Sequence, residues 1–218
     1  MKLVVFDVDG TLIDSQHHIH GAMTAAFQGA GLPPLPREAV LQIVGLSLPV
    51  AVAQLVPGQD AATQARIVDG YRSAFMQARL AQAAPLYPGA RACLDMLAAQ
   101  DDVLLAVATG KSRRGLAAMI EAHGLQGRFV STQTADDHPS KPHPAMLLRA
   151  LNETGVDAAD AVMIGDTSFD MDMARAAGMT GFGVGWGYHG QDVLVASGAA
   201  AVAADFADLG RKLAGWAA

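Results

Sequence analysis

Asp7 and Asp9 stand two residues apart at the end of the short apolar run Leu3 to Phe6. The run is rich in β-branched residues and stops at a Gly-Thr turn, so it reads as a buried strand. In an extended chain, positions i and i+2 point to the same side. Both carboxylates are therefore expected in one small space past the carboxyl edge of that strand. Like charges at such distance oppose joint ionisation unless a divalent metal or a retained proton compensates. Either arrangement suits chemistry in which one carboxylate attacks and the other carries a proton. The competing reading is a strand that ends in solvated turn aspartates, because Asp is common in turns.

Three later segments carry polar groups directly after or between apolar stretches. Thr109-Gly110-Lys111 follows the apolar run Val103–Ala108, and a hydroxyl with backbone N–H groups entering a helix can cradle phosphate. Lys141 opens Lys-Pro-His-Pro before a helix, where an ammonium can neutralise a phosphoryl oxygen. Gly165-Asp166-Thr-Ser-Phe-Asp170 follows the run Ala161–Ile164, with the two carboxylates four residues apart and near one helix face. Thr-Gly alone is usually a turn, and a lone lysine is usually solvated. Taken together, an acidic cluster with one lysine reads as a Mg²⁺ site holding a phosphate.

The elements that position these groups alternate along the chain. Expected strands are Leu3–Phe6, Val103–Ala108, Phe129–Ser131, Ala161–Ile164 and Gly181–Val184. Expected helices between them span Gly89–Ala99, Arg113–His123, Pro144–Thr154 and Phe169–Ala177. This alternation predicts an α/β fold, a doubly wound parallel sheet whose ligands gather at the carboxyl ends of the strands. Between Ser15 and Ala84 no stretch reads as a strand. Helices are expected at Gln16–Ala30, Arg37–Val44, Leu48–Leu55 and Asp60–Ala83, and Pro85 with Pro88-Gly89 marks a boundary. The chain thus divides into a core, residues 1–14 and 86–218, and an inserted all-helical cap, residues 15–85.

The D-x-D-G-T-L stretch beginning at Asp7, with Thr109, Lys141 and the Asp166/Asp170 segment in order behind it, resembles the four motifs of the haloacid dehalogenase-like phosphohydrolases. The cap resembles that of the subgroup containing phosphoglycolate phosphatases, β-phosphoglucomutases and phosphonate hydrolases. The resemblance implies that Asp7 attacks phosphorus and that Asp9 protonates the leaving oxygen and then activates water. It implies that Asp7, the Asp9 carbonyl and Asp166 hold Mg²⁺, with Asp170 in support. It further implies that Thr109 and amides near Gly10 and Gly110 bind phosphoryl oxygens, with Lys141 orienting and screening. The expectation is an Mg²⁺-dependent phosphatase for a small phosphomonoester, 2-phosphoglycolate ahead of sugar phosphates. A phosphoglucomutase-like transferase and a non-catalytic nucleotide-binding or scaffold protein are the alternatives. Against the last, no G-x-G-x-x-G follows the first strand.

The bulk properties agree with this class. The chain has 218 residues, 51% of them hydrophobic, enough for a sizeable core. A net charge of -6 offers no electrostatic reason to expect nucleic acid. Cys93 is the single cysteine and excludes an intrachain disulfide, which suits a reducing compartment. Asp7 and Asp9 interrupt the N-terminal apolar run too early for a secretion signal. Ala39 to Gln59 is uncharged but broken by Gly45, Pro49 and Pro57, so it reads as two short packed helices and not a membrane span. A cytoplasmic protein without membrane partners is expected, as monomer or homodimer. Among other residues, His17, His18 and His20 lie near the hinge and His123 at a helix end. His138 and His143 are candidates for the site mouth, and Trp186 is expected to pack. Arg37, Arg66, Arg72 and Arg79 of the cap, with Lys111 and Arg113, are candidates to meet a substrate carboxylate, and Lys111, Arg113 and Arg114 form a basic cluster that suits an anion-attracting, substrate-binding rim.

Overall fold

In β1 (Lys2–Phe6) both side-chain rows are apolar and buried. Val4 and Phe6 face one layer of helices, and Leu3 and Val5 face the other. A strand buried on both faces belongs in the middle of a parallel sheet covered on both sides. The computed structural model, which describes residues 1–217, shows that arrangement. Six parallel strands lie in the order β3-β2-β1-β4-β5-β6, with β2 Val103–Thr109, β3 Ser131–Thr134, β4 Ala161–Gly165, β5 Thr180–Val184 and β6 Ala201–Ala203. Each fully buried Leu, Val or Phe side chain contributes roughly 1.5–3 kcal/mol, so the central rows of β1, β2 and β4 carry much of the core.

The helices α5 (Ala90–Ala98), α6 (Arg113–Ala122) and α10 (Phe206–Ala217) supply side chains to one face. On the other face lie α7 (Ala145–Thr154) and α8 (Ser168–Ala176). The short α9 (Gln191–Ala196) packs beside β5 and β6. The order of strands reverses between β1 and β4, so the carboxyl ends of β2, β1 and β4 open a crevice at that point. Asp7 N–H donates to the Ile164 carbonyl at 2.9 Å, tying the two central strand ends together.

The helical insertion consists of α1 (Gln16–Gly29), α2 (Arg37–Leu41), α3 (Leu48–Leu55) and α4 (Ala61–Ala81). Its own apolar core joins Ile19, Met23, Phe27, Val52 and Ile67. Asp60 caps α4 by accepting from Thr63 N–H at 2.7 Å. At the crossing of α1 and α4, a Cβ on Gly70 would press within 3.3 Å of the Ala26 Cα, so glycine lets the two helices approach. The two connections to the core run side by side: Asp14 N–H donates to the Pro85 carbonyl at 2.9 Å, and Ile13 bridges Leu86. The uncharged stretch from Ala39 divides into the end of α2, a turn and α3, and no helix among the described residues is long and apolar enough to cross a membrane.

One strand is displaced from the expectation. Phe129–Ser131 becomes Ser131–Thr134, because Val130 only begins the pairing, by donating to the Leu105 carbonyl, and is itself 57% exposed. Of the residues that follow, Ser131, Gln133 and Thr134 are polar yet buried. Ser131 and Gln133 both donate to Glu153 Oε2, at 2.8 and 2.9 Å, so α7 supplies the hydrogen-bond partner that an apolar strand would not need. Beyond Val184, the elements α9, β6 and α10 were not among those expected from the sequence.

Candidate active site

The floor of the crevice is a buried charge cluster. Asp7 follows β1, Asp166 follows β4, Asp170 lies in the first turn of α8, and Lys141 comes from the loop before α7. Oxygens of the three carboxylates lie within 4.8 Å of one another. Lys141 is 1% exposed, and its Nζ donates to Asp170 Oδ1 at 2.6 Å. It also stands 3.0 Å from Asp7 Oδ1, an ion-pair contact out of line for a hydrogen bond. Asp170 Oδ2 accepts from Thr167 N–H and Oγ1, at 3.1 and 2.7 Å, which closes a capping box at the start of α8. Asp166 accepts from Thr11 Oγ1 at 2.8 Å and from Tyr188 N–H at 2.9 Å.

Asp7 differs from its neighbours, because both of its oxygens are buried and have no hydrogen-bond partner among the described residues. Burial pushes its carboxyl from 3.8 up to about 6, with Lys141 pulling it down and Asp170 pushing it up. Burial likewise holds Asp166 well above the usual carboxylate range, reinforced by Asp170 and Asp7. For Lys141, burial disfavours the charged form, but Asp170 and Asp7 more than offset it and the net shift is upward. Three carboxylates against one ammonium leave an excess of two negative charges, which matches a divalent cation with oxygen ligands. The unpartnered oxygens of Asp7 are the donors such an ion lacks elsewhere in the cluster, so the residues fit the metal.

Asp9 does not join that cluster with its carboxylate. The sequence expectation placed Asp7 and Asp9 in one space with only Lys141 nearby. Instead, Lys111 Nζ donates to both oxygens of Asp9 at 2.9 Å, and Ser15 Oγ donates to Oδ1 at 2.6 Å. Strand geometry ends at Phe6, so the i, i+2 rule no longer aims the two side chains together. Thr109 is buried at the end of β2, and its Oγ1 accepts from Lys111 N–H at 3.2 Å. Gly110 lies under the cap turn, where a Cβ would collide with the Gly45 carbonyl. Gly10 has a φ of 85°, and a Cβ there would run into Asp166 and Tyr188. These two glycines are required by close approach, and Gly10 also by its left-handed backbone.

Sequence reasoning missed the loop after β5. Tyr188 N–H bonds Asp166, its hydroxyl lies 3.2 Å from Ser15 Oγ, and its carbonyl accepts from Gln42 Nε2 at 3.4 Å. His189 is buried. Its Nδ1 accepts from Ser168 N–H at 3.0 Å, which leaves Nε2 as the donor to the Gln42 carbonyl at 3.1 Å. This loop thus links a candidate metal ligand to the cap. The Gly-Trp-Gly-Tyr run after a strand was its only signal, and it named no partner.

A cavity of about 570 Å³ opens above Asp7 and Asp9, between core and cap. Thr109, Gly110 and Lys111 line it, as do Arg72, Arg79 and Arg114. Arg37 instead bonds Gln16, and Arg66 bonds Thr63. Arg113 pairs with Asp137 away from the cavity. His138 and His143 do not line it either: His138 bonds the Gln133 side chain at 2.7 Å, and His143 accepts from Ala145 N–H. His18 packs edge-on against Phe75, and His123 Nε2 meets the Ala84 carbonyl at 2.9 Å. Trp186 donates to the Thr11 carbonyl and packs on Phe206, as a structural residue does. Cys93 is buried, and burial pushes its thiol up to about 11, which makes it inert.

Known proteins are similar to this chain in sequence and in fold. The family model described as haloacid dehalogenase-like hydrolase matches residues 4–184. The chain is 40% identical over 200 residues to a protein named probable phosphatase IndB of Dickeya dadantii, covering 89% of this chain and 86% of that one. It is 35% identical over 219 residues to a phosphoglycolate phosphatase of Rhodospirillum rubrum, covering 96% and 89%. A crystal structure of a hydrolase from Pseudomonas syringae superposes with a TM-score of 0.89 over the whole of both chains, at 25% identity. With that fold, four motif segments meeting at one crevice and phosphatases among its relatives, the chain belongs to the haloacid dehalogenase-like hydrolase family, in its phosphoglycolate phosphatase-like, helically capped subgroup.

Proposed function

We propose that the chain is a divalent-metal-dependent phosphatase that hydrolyses a small phosphomonoester through an aspartyl phosphate on Asp7. One observation carries this reading. Asp7 is buried, has no hydrogen-bond partner on either oxygen, and faces a substrate-sized cavity. A buried carboxylate held by one lysine and open to such a cavity is placed to attack an electrophile.

An oxygen of Asp7 attacks phosphorus, and the bond from phosphorus to the alcohol oxygen breaks. As Lys111 turns to the phosphoryl oxygens, Asp9 takes up a proton from solvent and passes it to that oxygen, so the neutral alcohol leaves. Asp9 then takes a proton from water, the water oxygen attacks phosphorus, and the acyl-phosphate bond breaks to release phosphate and restore Asp7. Lys141 holds Asp7 in register through its bond to Asp170. Lys111 shares its charge between Asp9 and the incoming phosphoryl oxygens, beside the Thr109 hydroxyl. Asp7, Asp166 and the Asp9 carbonyl, with Asp170 in support, are the groups to hold Mg²⁺, which supplies charge neutralisation at the phosphoryl group. Residues 15–85 act as the cap and residues 1–14 with 86–218 as the core. 2-Phosphoglycolate is the reference substrate that the relatives' names bring to this chain.

The test is phosphate release from a panel of phosphomonoesters with Mg²⁺ present, together with trapping by beryllium fluoride. Release, with the trapped adduct on Asp7, is expected. An adduct on another residue would overturn the assignment of the nucleophile. Interconversion of sugar phosphates without accumulating phosphate would make the protein a phosphotransferase instead.

A further inference from the structure

The cavity above Asp7 and Asp9 is far larger than a two-carbon acid needs. Its volume of about 570 Å³ lies within the range of pockets that enclose a drug-sized ligand, roughly 300–1,000 Å³. Its wall is mostly apolar: Ile19 and Met23 come from α1, Leu46 from the cap turn, and Tyr71, Phe75 and Met76 from α4. Tyr71 stacks on Phe75 with ring centroids 5.6 Å apart and 19° between planes. Among the described residues, nothing bonds the Tyr71 hydroxyl.

Lys111 and Arg72 in that wall are paired with carboxylates, Arg114 is exposed, and Arg79 is half-buried with a backbone carbonyl as its one hydrogen-bond contact among the described residues. Lys111 is 8% exposed, spends its ammonium on Asp9, and lies 4.8 Å from the centroid of the Phe75 ring. Arg72 is 62% exposed and pairs with Asp69 at 3.5 Å. Arg79 points to the Arg114 carbonyl at 3.5 Å, and Arg114 to the Met76 sulfur at 3.3 Å. A carboxylate seated against the apolar wall beside the phosphate must draw one of these cations out of its present contacts, and an anion buried without one opposes binding.

We propose that the substrate is the phosphomonoester of an alcohol with an uncharged apolar body, a short alkyl chain or an aromatic ring. That body lies against Phe75 and Tyr71, with the Tyr71 hydroxyl as its polar handle. Phe75 is then a specificity-determining residue. The inference rests on the phosphatase reading and ranks 2-phosphoglycolate below such esters.

The experiment compares kcat/KM, with Mg²⁺, for benzyl phosphate and hexyl phosphate against 2-phosphoglycolate and glycerol 3-phosphate. All four release alcohols of comparable kind, so the comparison reads the wall and not the leaving group's acidity. Benzyl or hexyl phosphate is expected to exceed 2-phosphoglycolate by about tenfold or more, the scale of discrimination an apolar pocket achieves. In Phe75→Ala, the ratio of benzyl phosphate to glycerol 3-phosphate falls about fivefold or more. In Met76→Arg, the ratio of 2-phosphoglycolate to benzyl phosphate rises, because the wall gains a cation. A wild-type preference for 2-phosphoglycolate overturns this inference alone. Phosphate release from none of the four overturns the phosphatase reading and this inference with it. A benzyl-to-glycerol ratio unmoved in Phe75→Ala overturns the assignment to this wall.

Discussion

Asp7 and Asp9 leave the same strand two residues apart, yet each meets a different lysine in a different setting. Asp7 and Lys141 are 1% and 0% exposed and share their charges with Asp166 and Asp170 wholly inside the core. Asp9 and Lys111 are 14% and 8% exposed and meet at the seam between core and cap, with Ser15 and the Phe75 ring around them. Breaking a fully buried pair leaves an uncompensated charge and costs about 3–5 kcal/mol, and the cost falls toward the roughly 0–1 kcal/mol of a surface pair as water gains access. The first pair therefore belongs to the framework as well as to the chemistry. The second lies close enough to water and cap to exchange partners during a reaction. A nucleophile benefits from the first setting and a proton carrier from the second.

The largest effect that would sharpen this contrast is loss of Asp7. Asp7→Asn keeps the shape and removes the attacking charge, so kcat is expected to fall roughly 10⁴-fold. Lys141 keeps Asp170 as partner, so the thermal midpoint should change little. A variant that retains a tenth of the wild-type rate breaks the assignment.

Metal removal comes next. EDTA is expected to lower turnover by about 10³-fold and Mg²⁺ to restore it, with Ca²⁺ a poor substitute because its coordination is looser. Stability gives an independent readout. Asp7 has its carboxyl raised from 3.8 to about 6 in the fold, so it contributes stability that is fully present below about pH 3.8 and lost as pH rises through about 6. Asp166 acts with the same sign. The metal-free protein should thus lose stability across that window, and added Mg²⁺ should raise Tm more at about pH 7 than at about pH 5. Equal increments at both pH values would contradict the buried-cluster account.

Lys141→Met tests the framework role. It strands three carboxylates together, and denaturation should show a loss of about 3 kcal/mol in the metal-free state, smaller with Mg²⁺ present. Activity should drop about 10²-fold. The mildest expected effect belongs to Lys111→Met. Asp9 keeps Ser15, so kcat/KM falls about tenfold while stability falls by less than in Lys141→Met. If the two lysine variants proved equally destabilising, the distinction between the two halves of the site would fail.

The sequence by itself determined much of this protein, wherever the signal was local. The alternation of strand and helix runs predicted the parallel sheet, and the strand-free stretch behind Asp14 predicted the helical insertion. Both follow from periodicities that repeat within one turn or one pleat. Asp7, Thr109 and Asp166 were legible as a common site because parallel strands bring their carboxyl ends to one edge. The tertiary structure alone decided how the charges pair. Lys111 reaches Asp9 across 102 residues, and Tyr188 meets Ser15 across 173. No spacing rule encodes such contacts, which depend on how the loops after β1, β2 and β5 fold against one another and against the start of the cap. The same holds for β3, whose buried Ser131 and Gln133 resemble loop residues until Glu153 of α7 satisfies them. It also holds for the cavity wall. Ile19, Met23, Tyr71 and Phe75 carry only the apolar stripe of ordinary cap helices, and their service as a lining exists only where those helices face Asp7 and Asp9.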